Sequence, residues 1–180
     1  MKWLIASDIH GSARYAEQVV NRFDESGADR LLLLGDILYH GPRNALPEAY
    51  DPPRVAALLN DRADRICCVR GNCDCEVDQM VINFPITADY MYLPVGNHMC
   101  FVTHGHVYSE DRLPRLADGD FFLFGHIHVP RCEKRGGITI LNPGSVSIPK
   151  GGSEHSYMML DGTRFSWHTM DGREYQYYQV

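Results

Sequence analysis

The amino-acid sequence predicts a layered α/β protein, on three observations. Two short apolar runs, Trp3–Ser7 and Leu31–Leu34, bracket a segment whose apolar residues recur at helical spacing. After Pro85 the pattern changes to paired runs joined by tight turns, beginning at Gly96-Asn97. No repeat, low-complexity tract or linker interrupts the 180 residues, so a single domain spanning 1–180 is expected.

Trp3–Ser7 is a first buried strand, ending at Asp8-Ile9-His10-Gly11. Ser12 suits the N-cap of a helix with Ala16, Val19, Val20 and Phe23 on one face, and Gly27 suits its left-handed stop. Leu31–Leu34 is a second strand, closed by Gly35-Asp36. Its unbroken apolar character fits a strand covered on both faces, as in a parallel sheet. Tyr39–Pro53 carries several prolines and no period, so it reads as a long functional loop. A second helix is expected over Arg54–Arg62, with Val55, Leu58 and Leu59 inward. A third strand over Arg65–Val69 leads to Gly71-Asn72-Cys73-Asp74. Tyr90–Val95 and His98–Thr103 form a hairpin that runs into His104-Gly105-His106. A short helix around Leu113–Leu116 precedes the strand Phe121–Phe124, which ends in Gly125-His126-Ile127-His128. Short strands joined at Gly136-Gly137, Asp161-Gly162 and Asp171-Gly172 complete the chain. Tyr175, Tyr177 and Tyr178 mark the last as a half-buried strand, or as an edge open to a second copy in a homo-oligomer.

Composition narrows the classes of function. Hydrophobic residues make up 44% and charged residues 22%, the balance of a soluble globular protein. The apolar run after Met1-Lys2 is too short for a signal peptide or a membrane span, and no later stretch approaches spanning length. A cytoplasmic protein with no membrane partner is expected. A net charge of −6 argues against duplex nucleic acid, which calls for clustered Lys and Arg. The six cysteines include no Cys-x-x-Cys pair and are read as reduced thiols; Cys73-Asp74-Cys75 lacks the second thiolate pair that would close a soft-metal site.

The strand ends carry the chemistry. Donors placed there gather at one edge of a sheet, and they are Asp8, His10, Asp36, Asn72, His104, His126 and His128. Singly, the two aspartates read as turn caps and Asn72 as a turn residue. Together they form an oxygen and imidazole set without thiolate, suited to manganese, iron, cobalt, nickel or zinc. Seven donors exceed one tetrahedral ion but serve two, with one carboxylate shared. Such a pair lowers the pKa of bound water and clamps both oxygens of a displacement at phosphorus.

The ordered set Asp8-x-His10, Gly35-Asp36, Gly71-Asn72, His104-Gly105-His106 and Gly125-His126-x-His128 resembles the calcineurin-like metallophosphoesterases. Asn142-Pro143-Gly144-Ser145 and the run His40–Pro47 are similar to a small bacterial phosphodiesterase branch of that family. The resemblance implies a four-layer αββα sandwich of two mixed β-sheets and two divalent ions, with Mn2+ first. It implies Asp8, His10, Asp36 and His128 on one ion, and Asp36, Asn72, His104 and His126 on the other. A metal-bridging hydroxide would attack a small phosphodiester, with Asp36, Asn72, Cys73 and His106 in the catalytic group. His40, Arg43 and Asn44 would contact substrate; as bland alternatives, His40 and Arg43 belong to a solvated loop. Cys73 stands where many members have a histidine, which implies diester hydrolysis with weak monoesterase activity. His106, or water on a metal, would then protonate the leaving group. A protein-binding scaffold of the same fold, without catalysis, is the alternative.

Overall fold

The computed structural model describes residues 1–180. In chain order its first elements are β1 (Lys2–Ala6), α1 (Ala13–Ser26), β2 (Arg30–Leu33), α2 (Pro52–Asn60), β3 (Ile66–Cys68) and α3 (Glu76–Gln79). Then follow β4 (Tyr90–Val95), β5 (His98–Thr103), β6 (Phe121–Leu123), β7 (Arg131–Arg135), β8 (Ile138–Asn142), β9 (Ser156–Asp161), β10 (Arg164–Thr169) and β11 (Glu174–Gln179). They make two mixed sheets, of order β11-β10-β9-β1-β2-β3 and β4-β5-β6-β8-β7. In the first, β1, β2 and β3 run parallel; in the second, β5, β6 and β8 do.

The two-residue period of a strand explains the layering. On β1 and β2, Leu4, Ala6, Leu31 and Leu33 face α1 and α2, where Val19, Phe23, Val55 and Leu59 complete one core. The alternate residues Trp3, Ile5, Leu32 and Leu34 face the other sheet and pack with Val102, Phe121, Leu141 and Trp167. A third, smaller cluster of Phe101, Phe122, Phe124 and Ile140 lies on the far face of the second sheet. Tyr108, Leu113 and Leu116 of the 105–120 segment lie against it.

Helix α1 begins where expected, with Ser12 Oγ accepting from the Tyr15 amide at 3.4 Å, and stops at Gly27 with φ 64°. Helix α2 begins two residues earlier than expected, because Asp51 caps it and two prolines fit its first positions. The helix expected around Leu113–Leu116 does not form: both leucines reach the sheet from an irregular segment. Pro114 and the nearby Gly119 leave too few residues to close a stable turn. The short helix α3 had no periodic signal. At the C-terminal edge, β11 pairs with β10. Tyr178 turns toward Phe121, at 6.2 Å between centroids, whereas Tyr175 and Tyr177 are exposed. No helix is long and apolar enough to cross a membrane.

Candidate metal centre

Parallel strands point their carboxyl ends the same way, and here β1, β2, β3, β5, β6 and β8 all end at one rim. Each expected donor follows one of them. His10 Nε2 lies 3.6 Å from Asp8 Oδ1 and 3.6 Å from Asp36 Oδ2, and 3.3 Å from His128 Nε2. His128 Nε2 is also 3.3 Å from Asp8 Oδ1. On the other side, His104 Nε2 is 3.5 Å from Asp36 Oδ2 and 3.1 Å from Asn72 Oδ1. The His126 ring stands 5.1 Å from that of His104. Asp36 Oδ2 thus belongs to both groups.

The surrounding chain aims these atoms. Nδ1 of His10, His104 and His128 donates to the carbonyl of Tyr39, Leu34 and Ile148, at 2.9, 2.7 and 2.7 Å, which turns each Nε2 inward. Both carboxylates spend one oxygen on the protein. Asp36 Oδ1 accepts from the Cys73 amide, and Asp8 Oδ2 from Ser7 Oγ and the His126 amide. Asp8 Oδ1 is buried without a hydrogen-bond donor. An anionic oxygen in that position is costly unless a cation meets it, so the residues fit a divalent ion. Five of these residues, Asp8, His10, Asp36, His126 and His128, hold left-handed backbone with φ between 51° and 65°. Side-chain-bearing residues take such angles at a cost, which persists where function requires the geometry.

Charge follows the same layout. Burial opposes ionisation of Asp8, but His10 and His128 outweigh it and hold the carboxyl well below the usual range. Burial also opposes protonation of His104, yet Asp36 beside it lifts the imidazole to about 9. His126 goes the other way, lowered to about 4 by burial and by His104. Burial, then Asp36, pushes the Cys73 thiol up to about 12.

A cavity of about 500 Å³ opens over the donors, lined among others by His10, Asp36, Asn72, Cys73, His126 and His128. Arg43 and Asn44 line it too, as does Lys150, which the sequence motifs did not single out. His40 does not: its ring stands edge-on to Tyr39 and Tyr50. His106 is half-buried next to the donors, its ring centroid 5.4 Å from that of His104 and 6.5 Å from that of His126; like Asp8 and His104, it does not line the cavity. The sequence motifs include Asp74, Asn142 and Ser145 but assign them no role, and the structure makes them positioning residues. Asp74 accepts from the amides of Asp36, Ile37 and Gly71 at 2.8, 2.8 and 2.7 Å. Ser145 and Ser147 both donate to the Asp8 carbonyl, and Asn142 to that of Gly125.

Residues 1–164 match the calcineurin-like phosphoesterase superfamily domain, and the chain belongs to that superfamily, which implies divalent metal ions. Among its relatives, phosphodiesterase YfcE of Escherichia coli (strain K12) is 53% identical over 161 residues, 89% of this chain and 88% of YfcE. A solved structure of YfcE, a phosphoesterase from E. coli, superposes with a TM-score of 0.96 at 48% identity over the whole of both chains. The probable metallophosphoesterase YsnB of Bacillus subtilis (strain 168) is 28% identical over 168 residues, 89% of this chain and 83% of YsnB. Vacuolar protein sorting 29 from Cryptosporidium parvum has a TM-score of 0.63 at 15% identity, over 99% of this chain and 98% of that one, a likeness of fold alone.

Proposed function

We propose that this protein is a metal-dependent phosphodiesterase with a dinuclear centre and weak activity on monoesters. The observation that carries the reading is the division of the donors into two groups that share Asp36 Oδ2. Asp8, His10, Asp36 and His128 would hold one ion, and Asp36, Asn72, His104 and His126 the other. When bound, the ions, with manganese the first choice, supply an activated water and neutralise charge at phosphorus.

The chain's own residues account for the rest. Arg43, Asn44 and Lys150 face the cavity, where cationic and amide donors suit the free oxygens of an anionic ester. Cys73 offers a neutral thiol where a cationic imidazole would serve a dianionic monoester, which favours the monoanionic diester. His106, half-buried beside His104 and His126, or water on a metal, would protonate the leaving oxygen. The six cysteines, all free, support a reducing compartment such as the cytoplasm.

The test compares bis-p-nitrophenyl phosphate with p-nitrophenyl phosphate, on protein stripped of metal and then reloaded with manganese. Diesterase activity should return with metal, exceed monoesterase activity about tenfold, and fall roughly a hundredfold or more in Asp36→Asn. A folded protein inactive with every divalent metal would instead be a non-catalytic, protein-binding member of the fold.

A further inference from the structure

A second cavity, of about 680 Å³, adjoins the first and differs from it chemically. Its walls are Leu38, Tyr39, Tyr50, Ala57, Val77 and Val81, contributed by the 39–50 loop, α2 and the α3 region. Tyr39, Val77 and Val81 are 42%, 68% and 52% exposed, an apolar surface left open to solvent. Clustered exposure of this kind marks a binding surface rather than chance. The Asn60 side chain in its wall is already engaged: its amide donates to the Val81 carbonyl and accepts from the Asn83 amide. Asp78 accepts from the Cys75 amide, and its charge disfavours an anionic occupant.

Cys73 lines both cavities. Its sulfur lies within 4.8 Å of donor atoms of His10 and Asp36, so the groove opens one side chain away from the metal centre. A substituent on a phosphorus held there, directed across Cys73, enters the groove at once. We propose that this groove is a substrate subsite that takes an uncharged aromatic arm of the phosphodiester, between the two tyrosines and the valines, with Cys73 as its threshold. The inference rests on the diesterase reading and adds the class of substrate. The two rims of the centre are then unlike: Arg43 and Lys150 serve the anionic phosphate, and the groove serves an apolar ring.

Phenylphosphonate and methylphosphonate carry no ester to cleave, so both serve as competitive probes of the manganese-loaded protein. Phenylphosphonate should inhibit hydrolysis of bis-p-nitrophenyl phosphate about tenfold more tightly, the gain from burying one ring face. Ala57→Phe, at an exposed position on the groove wall, should bring that ratio toward one by filling the space, and Val77→Asp should do so by charging it. In methyl NMR of the wild type, Val77 and Val81 should shift with phenylphosphonate and not with methylphosphonate. A wild-type ratio near one, or a ratio untouched by both folded variants, overturns the subsite even if diesters are cleaved. If no diester is cleaved, the diesterase reading falls, while the NMR titration still decides the groove: unmoved valines reject it.

Discussion

Asp74 does not line the cavity, yet it joins two of the loops that build it, through the amides of Asp36, Ile37 and Gly71. Asp74→Ala would strand three buried N–H groups. We expect unfolding free energy to fall by about 3 kcal/mol in urea titrations and manganese affinity to fall roughly ten- to hundredfold. Left-handed backbone gives a second prediction. At position 126 glycine should make the metal-free protein more stable than alanine does, by about 1 kcal/mol, reversing the usual order of these residues. The donors themselves could be read from sequence because their chemistry demands particular atoms directly after apolar runs. The roles of Asp74 and Ser147 could not, since their partners are backbone groups, and no residue type announces that. His40 entered with the run His40–Pro47, and a motif does not show which way a ring turns; here the ring packs edge-on to Tyr39 and Tyr50.

Strands and helices whose pattern repeats were readable, and those that depend on one contact were not. The run Leu31–Leu34 announces a doubly covered strand, whereas Leu113 and Leu116, three apart, mimic a helical face from an irregular segment. Close approach between loops adds a constraint at this scale. A Cβ on Gly71 would collide with the Asp36 amide and carboxylate, with no flexible end to give way. Gly27, by contrast, has open space around it and only its left-handed angle to defend. Gly71→Ala should therefore lower metal affinity at least tenfold, and Gly27→Ala should cost only about 1 kcal/mol of stability with activity kept. Metal titration and urea unfolding of the two variants separate these effects.

Across the whole molecule, Trp3 and Trp167 both sit in the layer between the sheets, and Trp167 donates to the Asn142 carbonyl at 2.7 Å. Their fluorescence reports on the joint, so its urea transition should coincide with loss of far-UV circular dichroism if the sheets come apart only when they unfold. Manganese at a hundred times its dissociation constant should add about 2.7 kcal/mol, visible as a shift of that shared transition. Four donors, Asp8, His10, Asp36 and Asn72, follow strands of the six-stranded sheet, and three, His104, His126 and His128, follow strands of the other. Ions held among them would pin the sandwich at one pole, while the turns at Gly96, Gly136 and Gly162 lie at the opposite pole. Amide exchange should record this as a gradient: chelation speeds exchange at Leu34, Phe124 and their neighbours and leaves the far turns unchanged. A protease meeting the chelated protein would find its new cleavage points in the loops of the loosened pole, and the same chain saturated with manganese would keep them closed.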